Sequence, residues 1–127
     1  MPSEGPLGLI LLDGGHARAH FAFSFAASAA ALDRPVTLFA ANAGIHALCR
    51  DWRGLSGDDH DAVLRARGVA GFESLRSAAV DLGVRLLACE AALKGEAVEP
   101  SRLLEAVEVA GITRFLADLA GAQIVSF

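Results

Sequence analysis

Two thiols, Cys49 and Cys89, are the side chains best suited to nucleophilic attack near neutral pH. A cysteine reacts as thiolate, so its surroundings decide whether it works or packs. Cys89 directly follows the apolar strand Val84–Ala88 and, with Glu90, precedes Ala91–Lys94, which reads as a short turn of helix. Backbone N–H groups at such a turn favour the thiolate, whereas the charge of Glu90 opposes it unless that side chain points away. A buried, inert thiol is the alternative, because free cysteine is among the most buried residue types. Cys49 shares a helical spacing with Ile45, Leu48 and Trp52, which places it on an apolar face and predicts packing. Two cysteines are too few for a disulfide framework and suit a reducing cytoplasm. They could pair with each other only if their Cα atoms approached within about 7 Å.

The histidines offer a second kind of chemistry. His16 and His20 stand four apart, a spacing that can bind metal, with Asp13 near enough to be a third ligand. No further spaced ligand set follows, so no metal is expected. His16 is the more interesting as an acid–base partner for Cys89. Asn42 reads first as a helix cap and second as a donor into a crevice. Asp58-Asp59-His60-Asp61 looks metal-like, but a solvated loop opening a helix explains it, and Ser56-Gly57-Asp58-Asp59 has the pattern of a capping box. Asp13-Gly14-Gly15-His16 completes neither a dinucleotide fingerprint nor a phosphate loop, and no G-x-S-x-G elbow is present. No organic cofactor is expected.

These residues need elements to position them. Leu7–Leu12 is a short continuous apolar run, the pattern of a strand buried on both faces, and Val36–Ala40, Val84–Ala88 and Ala122–Phe127 read as further strands. Between them lie helix-like stretches. One runs from about His16 to Leu32, alanine-rich and apolar nearly all round, which predicts deep burial or a subunit contact. Others are read after Asn42, around Val63 and Leu64, through Phe72, Leu75, Ala79 and Leu82 to a C-cap at Gly83, and from Pro100 to Gly111. A last one is read over Arg114–Ala120 with Thr113 as cap. Alternating strands and helices predict an α/β fold: one three-layer domain over residues 1–127, with a mainly parallel sheet of four to five strands and helices on both faces. In such sheets ligands bind beyond the carboxyl ends of the strands. The fold therefore gathers Asp13–His16, Ala41–Gly44 and Cys89–Glu90 at one edge.

Composition narrows the function classes. At 127 residues the chain fits one domain. Its 54% apolar content exceeds the usual range, which predicts a doubly covered sheet and apolar surface buried between subunits. The net charge of −4 and the scattered arginines argue against nucleic acid. The longest uncharged stretches, Ala19–Leu32 and Pro35–Cys49, are shorter than the roughly 20 residues of a spanning helix. Met1–Pro6 has neither a basic region nor a cleavage signal, which predicts a soluble cytoplasmic protein.

Three segments together resemble the DsrE/DsrF-like (DsrEFH-like) sulfur-relay family. Gly83-Val84-Arg85-Leu86-Leu87-Ala88-Cys89-Glu90-Ala91-Ala92-Leu93 resembles its cysteine segment. Arg34-Pro35-Val36-Thr37-Leu38-Phe39-Ala40, with Ala43-Gly44-Ile45 and Leu48, resembles its second strand and helix. Val107-Glu108-Val109-Ala110-Gly111-Ile112 with Phe115-Leu116 resembles its C-terminal part. The resemblance implies a small α/β fold that assembles as a homo-oligomer. It also implies a persulfide carried on Cys89 and passed from a sulfur donor to an acceptor protein's thiol. Arg50–Arg67 has no counterpart in the resemblance, and no family residue maps onto His16 or Asn42. Two other readings compete: a non-catalytic oligomeric module binding a small ligand or protein in the strand-end crevice, and a peroxide-reducing thiol enzyme, which would benefit from a resolving cysteine.

Overall fold

A computed structural model describes residues 5–127. Met1–Glu4, most of the segment in which a leader was sought, lies outside the described residues. Five strands form one parallel sheet: β1 (Leu7–Leu11), β2 (Val36–Ala40), β3 (Arg85–Cys89), β4 (Glu108–Ala110) and β5 (Gln123–Ser126), in the order β4-β3-β2-β1-β5. The chain steps outward from β1 to β4, then returns across the sheet to β5. Right-handed crossovers therefore put the intervening helix of that return on the opposite face from the others.

The first face carries α1 (His16–Ala31), α2 (His60–Ala66), α3 (Phe72–Asp81) and α4 (Glu90–Gly95). Leu7, Leu9 and Leu11 of β1 and Leu38 and Ala40 of β2 meet Ala19, Ala22, Phe23 and Ala26 of α1 in the main core. Phe23 is fully buried and stands edge-on to Phe72, with ring centres 5.4 Å apart. Burying one such ring contributes about 2–3 kcal/mol. The second face is covered by α5 (Ile112–Asp118) alone, whose Phe115 stacks on Phe39 at 5.0 Å. Gly8 makes that approach possible: a Cβ there would stand 2.6 Å from Ile124 Cδ1 and 3.0 Å from Phe115 Cζ.

Several local expectations are corrected. Pro100–Gly111 is not a helix: it holds a 3-10 turn at Pro100–Arg102 and the edge strand β4. Three residues with exposed Glu108 and Val109 carry no strand periodicity that a sequence pattern could reveal. The segment after β2 is a 3-10 helix, Asn42–Leu48, and a short second turn, Trp52–Gly54. Asn42 is not its cap: it is the first residue inside, in the left-handed region at φ 48°, a conformation asparagine tolerates better than most. Ser56–Asp59 forms no capping box; Asp59 precedes α2 without a side-chain cap bond. Thr113 lies inside α5, whose N-cap is Gly111. The expected Gly83 C-cap is present, at φ 90° with Val84 N–H bonded to Ala79 O at 2.9 Å. No described helix is long and apolar enough to cross a membrane.

Candidate functional site

The carboxyl ends of the strands converge as topology requires. Ala41 N–H donates to Leu11 O at 2.9 Å, Gly44 N–H to Leu12 O at 3.2 Å, and Leu12 N–H to Phe127 O at 3.0 Å. These bonds lace the turns after β1, β2 and β5 together. Gly44 is required there, because a Cβ would run into the Leu11 carbonyl. Asp13 is exposed and accepts from Gly15 N–H at 2.9 Å, which shapes the turn into α1. Asn42 is exposed at the same edge.

Cys89 ends β3, level with Ala110 of β4, and is the N-cap residue of α4. Strand alternation points its side chain to the α5 face. It touches both cores: the main cluster on one side, and on the other the cluster of Phe39, Leu87, Ala110, Phe115 and Leu119. The thiol is free and partly exposed. Glu90, next in the chain, is exposed in the first turn of α4. Beside it runs an open groove of about 520 Å³ walled by Glu90, Leu93, Lys94, Val98 and Val109, which Cys89 adjoins but does not line.

Cys49 has the opposite setting. It is buried, its Sγ–H points at Ile45 O at 3.9 Å, and burial pushes its pKa up. Its backbone bridges to Leu103. A thiol sealed and protonated in this way is a packing residue.

His16 is buried on the α1 face of the sheet, opposite to the side chain of Cys89. Its Nε2 meets Asp61 Oδ1 at 2.7 Å, and its ring neighbours are His20, Trp52, His60 and Phe72. It does not face the thiol. His20 bonds separately, through Nε2, to Ala70 O at 2.8 Å. The two histidines thus tie α1 to the excursion between residues 50 and 71 and do not share a ligand.

Asp61 is the residue that the sequence pattern misplaced. It is not in a solvated loop: it is 4% exposed. Oδ1 accepts from His16 and from Phe72 N–H at 2.8 Å, and Oδ2 faces Arg65 at 3.3 Å. Burial alone would push its carboxyl up. The His16 and Phe72 hydrogen bonds, with the positive charge of Arg65, outweigh that and hold it below the usual range. Because Asp61 accepts, the His16 proton sits on Nε2, and the buried Nδ1 has no partner among the described residues. Arg76 was also missed. Its guanidinium is buried and donates to Ala47 O at 2.9 Å, Cys49 O at 2.6 Å and Arg50 O at 3.3 Å, capping the end of the 3-10 helix. Its place at i+4 from Phe72 on the apolar side of α3 was the available signal.

With this geometry the comparisons agree. A parallel five-stranded sheet closed by one returning strand, with a cysteine at a strand's carboxyl end, defines a small α/β protein. The chain belongs to the DsrE/DsrF-like family, whose model matches residues 8–127. Two solved structures share the fold at a TM-score of 0.65. One is a protein of unknown function, MTH1491 from Methanobacterium thermoautotrophicum, 18% identical over 98% of this chain and 100% of that one. The other is the ychN protein from E.coli, 12% identical over 96% of this chain and 99% of that one. No curated protein matches the sequence.

Proposed function

We propose that this protein is a sulfur carrier that holds a persulfide on Cys89 and passes it to a partner's thiol. Membership of the DsrE/DsrF-like family points to a role related to sulfur relay. The observation that carries the finer reading is the contrast between the two thiols. Cys89 is partly open at the carboxyl end of a parallel strand, whereas Cys49 is sealed. In the step, the Cys89 thiolate attacks the outer sulfur of a donor persulfide, forming a new S–S bond. The donor's S–S bond breaks and its thiolate leaves, so no net oxidation occurs. The apolar walls given by Phe39, Leu87 and Phe115 would slow water-borne loss of the persulfide, while the open side admits the acceptor thiol. The chain works as a homo-oligomer in a reducing compartment that keeps both thiols free.

One observation favours a second reading, a non-catalytic module binding a small ligand or protein at the strand ends. The near neighbours of Cys89 are apolar, and His16 turns to Asp61 instead. Intact-mass measurement after incubation with a persulfide donor separates the two. Sulfur addition to wild type and to Cys49→Ser, with none to Cys89→Ser, supports the carrier. No addition to wild type, or equal addition to Cys89→Ser, sinks it.

A further inference from the structure

The outward side of α1 lacks the charge that a solvent-facing helix normally carries. Between Arg18 and Asp33 the helix has no charged residue other than what His20 supplies when protonated. Its exposed positions include Phe21, 58% exposed, and Leu32, 73% exposed, which lies just past the helix end. Phe25 and Ser28 lie between them at helical spacing, and Phe21 and Phe25 pack on Phe127 at 6.1 and 5.5 Å. Arg18, Phe21, Phe25, Ser28 and Leu32 thus repeat at steps of three and four, the seam of a helix meeting another helix.

We infer that this seam is a homotypic interface, in which α1 of one protomer packs antiparallel on α1 of a second copy across a two-fold axis. The inference rests on the homo-oligomer reading above and names its surface. The charges fix the occupant and its direction. Arg18 and Asp33 are exposed at opposite ends of the seam, and neither has an ion-pair partner among the described residues. A two-fold axis near Ala26 places Arg18 of each copy by Asp33 of the other and superposes Phe21 on the other copy's Leu32. The midpoints of the two pairs fall within one residue of each other. Ser24 and Ser28 flank that midpoint, and their small side chains permit the ~8–10 Å approach of packed helices. An isologous contact needs this self-complementarity, and a different protein would have to reproduce it by chance. A membrane surface is a poor occupant, because an interfacial helix carries a lysine- and arginine-rich polar face that α1 lacks.

Light scattering of the full chain on gel filtration tests the inference. Wild type is expected to run above monomer mass. Phe21→Glu and Leu32→Glu, both at exposed positions, should lower the assembly while leaving far-ultraviolet circular dichroism unchanged. Arg18→Glu should weaken association by roughly tenfold through like-charge opposition, and Arg18→Glu with Asp33→Arg should restore it. A monomeric wild type overturns the oligomer reading itself. An assembly indifferent to Phe21→Glu and Leu32→Glu overturns this surface alone. Failure of the double reversal to rescue overturns the antiparallel pairing.

Discussion

Asp61 shows how one carboxylate can hold a distant segment in place. It satisfies the first backbone N–H of α3 and the imidazole of α1 at once. Asp61→Ala would leave both donors buried without an acceptor, and a loss of about 3 kcal/mol is expected in urea unfolding. The same carboxyl makes stability depend on pH. Its folded-state pKa lies below its unfolded value, so its contribution is complete above pH ~4 and is lost as pH falls through the folded value. Asp61→Asn, which keeps the shape, should flatten the stability profile below pH ~4; an unchanged acid slope would show that other carboxylates set it. Arg76 works by the same logic with the signs exchanged. Burial depresses its pKa, yet three carbonyls hold the charge. Arg76→Met should cost about 2–4 kcal/mol by stranding those carbonyls, measurable as a lower melting temperature. Arg76 was marked only by its i+4 spacing from Phe72, and Asp61 was not legible as structural at all. Asp61 and His16 stand 45 positions apart, and no local pattern encodes such a pair. The thiols were more legible: the apolar spacing around Cys49 foretold its burial, and the end of the strand-like run Val84–Ala88 located Cys89.

At the level of elements, continuous apolar runs were readable because a strand covered on both faces must be apolar at every position. β1, β2 and β3 meet that condition, save for Thr37 and Arg85 at the margin of α5. β4 does not. It is a short edge strand, and Glu108 is exposed in an ionic network with Arg85 and Arg114, so its residues look like those of a helix surface. The 3-10 helix after β2 hid for a related reason: spacing at three and four fits α and 3-10 geometry alike over two turns. On the other face, α5 is sensitive to a single added atom. It rests on Gly8, and Gly8→Val would drive a side chain into Ile124, Phe115 and Leu119. A destabilisation of about 1–3 kcal/mol is expected, readable as a lower urea midpoint, whereas Gly8→Val without effect would mean that α5 does not need its close seat.

Across the whole molecule, the parallel order β4-β3-β2-β1-β5 separates two tasks between two faces. The α1 face is the thick one, sealed by aromatic packing and by the His16–Asp61 and Arg76 bonds. The α5 face is thin, and Cys89 opens beside it. Sequence order alone implied that the strand ends converge. Which face each side chain takes depends on register, and register put His16 and Cys89 on opposite sides. The carrier proposal therefore stands on Cys89 without help from His16. The most direct test is a load-and-discharge cycle on wild type, followed by peptide mass spectrometry. The account predicts one added sulfur, confined to the peptide containing Cys89, which disappears when an acceptor thiol is supplied. Sulfur found on Cys49, or sulfur on Cys89 that no thiol removes, would contradict it.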